Sequence, residues 1–186
     1  NPTGRDEMSR SVVERIRRIP GVTMATLSGN GPVDYGVIQG EFLAEDRPVP
    51  ATEAKAIMPA RWVGPDFFAV TGLALVAGRT FSADTGQAEL VIDAATARRV
   101  WGTLDVVGKR VRYERTGGWR TIVGVTADLR GFNDGFENAP NLYEREYSGE
   151  TGHTILVRVA DPTVLRDVSR AVRETHPAIR IRSAAM

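Results

Sequence analysis

The fold is decided by Trp62-Val63-Gly64-Pro65-Asp66-Phe67-Phe68-Ala69-Val70-Thr71-Gly72-Leu73 and by the residues from there to Arg112. Pro65 suits a first helical position, where its missing N–H costs nothing. Phe67, Phe68 and Val70 then give a short helix an aromatic face to bury. Next come Ala77-Gly78-Arg79-Thr80-Phe81 and an acidic, turn-prone loop with Asp84. Leu90-Val91-Ile92 reads as a strand that runs through Asp93 into Ala94–Trp101. Asp93 is placed to cap that helix and Gly102 to stop it. Gly108-Lys109-Arg110-Val111 opens another strand. The hairpin expected over Gly108–Glu114 and Trp119–Val125 has Gly117-Gly118 at its tip, where positive φ is cheap. These are folding signals in close order with no reactive cluster among them, which points to a non-enzymatic module.

Outward from this stretch, the amino-terminal segment predicts a helix capped by Thr3, with Asp6 and Glu7 in its first turn. Met8, Val12, Ile16 and Ile19 lie on one face and Pro20-Gly21 ends it. Arg15, Arg17 and Arg18 in its last turn read as a solvated basic face favoured by the helix dipole. Val22–Leu27 is a strand, Val37–Phe42 a second, and Ala54–Val63 a third, with Pro59 marking an edge or bulge. Arg130–Glu146, rich in Gly, Asn and Pro, reads as a long mobile loop. Thr154–Val159 is a strand, Asp161-Pro162 starts a helix carrying Val164, Val168 and Val172, His176-Pro177 ends it, and Ile179–Arg182 is a last strand. Met8, Val12 and Ile16 stand 156 positions before Val164, Val168 and Val172. Two helix-Pro-strand units of like design therefore flank the middle and are expected to pack side by side on one sheet.

The order of these residues resembles the periplasmic core domain of MacB-like and FtsX-like ABC transporter permeases. The family pattern runs Val, small residue, Pro, any residue, aromatic, Phe, then Gly, followed by Gly-Arg-any-Phe and a Gly-Lys-Arg strand start. Here these are Val63, Pro65, Phe67, Phe68 and Gly72; Gly78, Arg79 and Phe81; and Gly108 to Val111. Ile122-Val123-Gly124-Val125 with Asp128 looks like the family's following strand, and Pro140 and Tyr143 fall where its Pro and Tyr usually lie. Ile92-Asp93-Ala94 departs from the Asn-Glu that relatives often carry, but both read as helix starts. The resemblance implies an α+β fold of two lobes: a porter-like α/β lobe from residues 1–63 and 151–186, and a smaller mixed α+β lobe inserted at 64–150. It implies a non-catalytic domain on the periplasmic or extracellular face of the bacterial inner membrane, between two transmembrane helices and without those anchors. Its partners would be the transmembrane helices of the same permease, a cytoplasmic ABC ATPase and a periplasmic adaptor protein. Pro65, Phe67, Phe68, Gly72, Gly78, Arg79, Phe81 and Gly108 are its structural motif.

Composition agrees with a soluble module. The 186 residues are 42% hydrophobic and 25% charged, enough for a real core. With 24 basic and 23 acidic residues the net charge is +1, which gives no footprint for nucleic acid. The chain has no cysteine, which excludes disulfides and thiolate metal sites. No apolar run approaches the roughly 18 residues of a membrane span.

No motif supplies chemistry. His153 and His176 each lack a partner at metal-ligand spacing. Ser9, Ser28 and Ser148 lie in no nucleophile elbow. Gly29 and Gly31 lack the third glycine of a dinucleotide loop, and Gly108-Lys109-Arg110 has Arg where a phosphate loop needs Ser or Thr. Asp84, Glu89 and Asp93 lack the alternating ligands of a calcium loop. Arg79 is expected in a structural salt bridge or a bond to a loop carbonyl. No catalytic, cofactor-binding or metal-binding residues are therefore assigned, and no ATP binding is expected. A free envelope ligand-binding protein, with a cleft between its lobes and Trp62, Trp101, Trp119 and Tyr143 as candidate lining, is the alternative reading.

Overall fold

The computed structural model describes residues 2–28, 36–38, 42–46, 58–64, 66–82, 88–113, 118–128, 141–145 and 154–175. Pro65, the tip residue Gly117, the terminator His176-Pro177 and the expected strand Ile179–Arg182 lie outside them. Within them the fold is mixed α/β: a ten-stranded sheet, four α-helices and one short 3-10 turn. The strands are β1 (Val22–Ser28), β2 (Gly36–Ile38), β3 (Phe42–Ala44), β4 (Met58–Val63), β5 (Leu75–Gly78), β6 (Glu89–Asp93), β7 (Arg110–Tyr113), β8 (Arg120–Thr126), β9 (Leu142–Arg145) and β10 (Thr154–Val159). The helices are α1 (Pro2–Arg17), α2 (Phe67–Thr71), α3 (Ala94–Trp101) and α4 (Leu165–Thr175). The sheet order is β10-β1-β4-β9-β6-β8-β7-β3, with β2 also on β4 and β5 also on β8.

Most elements follow the local signals. Asp93 Oδ1 accepts the Thr96 N–H at 2.7 Å and Gly102 closes α3 in the left-handed region. Asp161 accepts the Thr163 N–H in the same way, at the 3-10 turn that precedes α4. β7 and β8 form the expected antiparallel hairpin, Arg110 opposite Thr121. β1 and β10 pair antiparallel, and α1 and α4 pack Val12, Val13, Ile16, Val168 and Val172 over them, while the strand of the second helix-Pro-strand unit lies outside the described residues.

Three expectations are corrected. The run read as one strand over Val37–Phe42 is two, β2 on β4 and β3 on β7. Apolar alternation marks extended chain but not its partner, so a change of partner is invisible to it. The long loop read over Arg130–Glu146 contains β9, which lies between β4 and β6 in the middle of the sheet. Its four residues are too few for a period, and two of them are charged. α1 already begins at Pro2, so Thr3 lies within the helix and not at the position before it.

Side-chain alternation sorts the core into faces. Leu90, Ile92, Ile122 and Leu142 point to the face covered by α3, where Phe42 meets Trp101 edge-on at 6.2 Å. Val63, Val91, Val123 and Tyr143 point to the opposite face, covered by α2. In β10, Ile155 and Val157 face α1 and α4 while Leu156, between them, joins the α2 cluster. α2 thus packs on both the β1–β10 pair and the central strands.

Candidate functional site

Of the motif residues read from sequence, the structure gathers most around α2. Phe67 and Phe68 are buried, their rings 5.5 Å apart and perpendicular. Tyr143 closes the cluster at 5.8 Å from Phe67 and 5.4 Å from Phe68, and Phe81 packs on Phe68 at 6.0 Å. Gly72 ends α2 with φ +71°. Gly78 has φ +71° and lies so close to β8 that a Cβ would fall 2.2 Å from the Val123 carbonyl oxygen. The next residue, Arg79, holds Glu89 at 2.5 Å, and Glu89 also accepts the Ser82 N–H at 2.8 Å. Both roles open to Arg79 are filled, since its Nη1 also donates to the Thr80 carbonyl at 2.9 Å, and the ion pair ties the chain after β5 to the start of β6. The Arg79 guanidinium holds the Glu89 carboxyl below the usual carboxylate range, with the Ser82 N–H adding to the effect against burial. Gly108 stands apart, at the entry to β7, its N–H donating to the Ile122 carbonyl at 2.8 Å.

Sequence alone misses the groups that hold α2. Arg17, which reads there as part of a solvated face, donates through Nε and Nη2 to the Ala25 carbonyl at 3.0 and 2.7 Å. Its Nη2 also meets Asp66 at 2.8 Å, at the start of α2. At the other end Arg158 Nε donates to the Val70 carbonyl at 3.0 Å. Spacing could not have found either contact, because Arg17 and Asp66 are 49 positions apart and Arg158 and Val70 are 88.

A buried polar network lies at the end of β6. Asp93 Oδ2 accepts from the Asn141 backbone and side chain at 2.8 and 3.0 Å, and Asn141 Oδ1 accepts from Arg61 at 3.2 Å. Burial pushes the Asp93 carboxyl up, against the pull of these hydrogen bonds. Burial likewise raises Glu144, opposed by Arg120 at 3.5 Å. These carboxylates serve β6, β8 and β9 as packing and capping groups. No group of His, Asp or Glu among the described residues is arranged to hold a metal ion.

The aromatic residues named as cleft candidates do not converge. Trp62 lies half-buried in β4, Trp101 belongs to the α3 face and donates to Asp46 at 3.0 Å, Tyr143 belongs to the α2 face, and Trp119 lies beneath Arg110 and Arg112. A groove between α1 and α4 is lined by Ser11, Val12, Glu14, Arg15, Arg18 and Thr175, a mostly charged and hydroxylic wall.

A family model described as the MacB-like periplasmic core domain matches residues 2–175. No curated protein sequence matches the chain. Among solved structures, the fold is similar to the periplasmic region of MacB from Actinobacillus actinomycetemcomitans, with TM-score 0.61 and 16% identity over 90% of this chain and 74% of that one. It is similar to a domain of a permease protein from Porphyromonas gingivalis, with TM-score 0.57 and 24% identity over 86% and 72%. The extracellular domain of the noncanonic ABC-type transporter YknZ from Gram-positive bacteria matches with TM-score 0.56 and 14% identity over 90% and 83%.

Proposed function

The chain belongs to the MacB-like periplasmic core domain family of ABC transporter permeases, and from that premise we propose that it is a non-catalytic transmission element. In this reading it stands outside the inner membrane between two transmembrane helices. ATP hydrolysis by a cytoplasmic ATPase displaces those helices, and the domain passes the displacement to a transported substrate or a periplasmic adaptor. The two lobes expected at 1–63 with 151–186 and at 64–150 are part of the same proposal. The observation that carries it is the family match across residues 2–175. The packing is compatible with it: α1 and α4 lie side by side on the β1–β10 pair, so a force on the terminal helices is applied to one layer. A ligand can drive such a change only by favouring one of two states.

The test uses the complete permease with its ATPase in cells. A single cysteine replaces Asp105, an exposed residue far along the chain from both termini. A membrane-impermeant maleimide should label it in intact cells, at a rate that changes when the ATPase is trapped with nucleotide. Labelling only after lysis would refute the placement. Labelling from outside at one rate in all nucleotide states would refute the transmission.

A further inference from the structure

β5 pairs with β8 and, among the described residues, with no other strand, so it presents an outward row of backbone N–H and C=O groups. The structure describes the chain on both sides of β5 without a break, from residue 66 to 82. The strand is held firmly on β8. At one end the Ala127 N–H donates to the Ala74 carbonyl at 2.8 Å, and at the other the Arg79 N–H donates to the Val123 carbonyl at 2.9 Å. Two glycines bring the strands close: a Cβ on Gly78 would fall 2.2 Å from the Val123 oxygen, and one on Gly124 would fall 2.2 Å from the Arg79 oxygen. An edge fixed in this way keeps its outward groups in strand geometry before anything meets it, which lowers the ordering cost of binding.

Three of the five exposed large apolar side chains among the described residues gather here: Leu75 at 37%, Val76 at 49% and Val107 at 45% exposure. Val107 precedes β7 in the chain but stands beside β5, with its Cγ2 3.0 Å from where a Cβ on Gly78 would be. Val76 falls at the register shift between Leu75 and Ala77, and a bulge of this kind re-aims a side chain. Edge strands are commonly guarded by charge, proline, a bulge or shortness. β5 has the bulge and the shortness, but from Leu73 to Gly78 there is no charged residue and no proline. The first charge along the chain, Arg79, is already turned to Glu89 and to the Thr80 carbonyl.

We infer that the outer edge of β5 receives a short extended segment of another polypeptide as an added strand, with apolar side chains set against Leu75, Val76 and Val107. Charge and area decide the occupant. An uncharged edge flanked by apolar side chains matches a strand with no charge at its centre, because a carboxylate or ammonium placed there would lose water and gain no partner. A second copy of the domain fits less well. Stable protein pairs bury about 1,200–2,000 Å² in total, and an edge of four residues with three apolar side chains beside it offers far less. A short peptide needs no such area, since main-chain bonds to the edge supply affinity and contacts with alternate side chains supply selectivity. The inference concerns a surface of the domain and stands whether or not the domain transmits motion.

The probe is a short, blocked, fluorescent peptide of alternating valine and threonine, titrated into the full chain and followed by anisotropy. Saturable binding is expected, with slowed amide hydrogen exchange confined to Leu75–Gly78 and the adjoining Val107. Val76→Lys puts a charge on the edge and should weaken binding by about tenfold or more. Met24→Lys, at a comparably exposed side chain of β1, should leave binding unchanged. Val107→Lys, also at an exposed position, should weaken binding as Val76→Lys does and keeps the test open if that variant does not fold. The same peptide N-methylated at its central amides lacks the donors for the edge and should not bind. No saturation below about 1 mM, equal affinity in the unaltered chain and the folded edge variants, or protection elsewhere in the chain would overturn the proposal. So would a dimer seen in sedimentation without peptide and dissociated by Val76→Lys, which would assign the edge to a second copy.

Discussion

Phe68→Ala tests the packing around α2 most sharply. Phe68 is 5% exposed, and its ring touches those of Phe67, Tyr143 and Phe81 with centroids 5.4 to 6.0 Å away. Removing the ring loses about 1.5–3 kcal/mol of transfer free energy. The neighbours are themselves tied down: Phe67 by helix α2, Tyr143 by strand β9 between β4 and β6, and Phe81 by the segment that Arg79–Glu89 anchors. They cannot collapse fully into the space, so the cavity cost brings the total to about 3–5 kcal/mol. For a chain of this size that lowers the melting temperature by roughly 6–20 °C, at about 2–4 °C for each kcal/mol. Arg112→Ala is the paired control. Its guanidinium lies 5.1 Å from the Trp119 ring, a cation–π contact worth about 0.5–1 kcal/mol. Urea unfolding followed by far-ultraviolet circular dichroism gives both differences. A Phe68→Ala loss under about 1.5 kcal/mol, the bottom of the transfer range, or one no larger than that of Arg112→Ala, would be incompatible with a tightly packed aromatic cluster.

Two other perturbations separate causes that look alike in sequence. Gly78 and Gly102 have nearly the same φ, +71° and +72°, but a Cβ meets the Val123 oxygen at 2.2 Å in the first and open space in the second. Gly102→Ala should therefore cost only the left-handed penalty of about 1–2 kcal/mol, and Gly78→Ala clearly more, measured by the same urea midpoints; equal costs would contradict the close approach of β5 to β8. Glu89 and Glu144 should respond to pH with opposite signs. The Glu89 carboxyl is lowered, so its contribution is present above the unfolded pKa near 4.5 and lost as pH falls through the folded value. The Glu144 carboxyl is raised, so its contribution is present below 4.5 and lost as pH rises through the folded value. Glu89→Gln should then cost more at pH 7 than at pH 4, and Glu144→Gln more at pH 4 than at pH 7; the same trend in both would be evidence against these electrostatics.

Much of the fold is readable in the sequence because it is local. The strand–cap–helix–Gly run from Leu90 to Gly102 needs no distant partner to be recognised, nor does the helical spacing of Val164, Val168 and Val172. What escapes is non-local. β9 reads as loop because Glu144 and Arg145 look solvated, yet Glu144 is buried and Arg120 on β8 offsets its charge. The change of partner from β2 to β3 is hidden because each is a short apolar run, and only pairing with β4 or β7 distinguishes them. At the candidate site the aromatic motif and the Arg79 ion pair are legible, since Arg79 and Glu89 are near in sequence. Arg17 is not, because a basic residue in a last helical turn looks the same whether it faces water or reaches Asp66. The residues that hold α2 come from both ends of the chain, and only the folded sheet brings them together.

Whether the domain is held to the membrane at both ends and moves with ATP comes down to one distance. Spin labels at Thr3 and Ser183 in the complete transporter, reconstituted in liposomes, report the separation of the two ends in the nucleotide-free and ATP-trapped states. A short distance in both states, with a shift between them, is expected. A distance spanning the whole domain would contradict the attachment of both ends to one membrane face, and a short distance identical in the two states would contradict the transmission of motion.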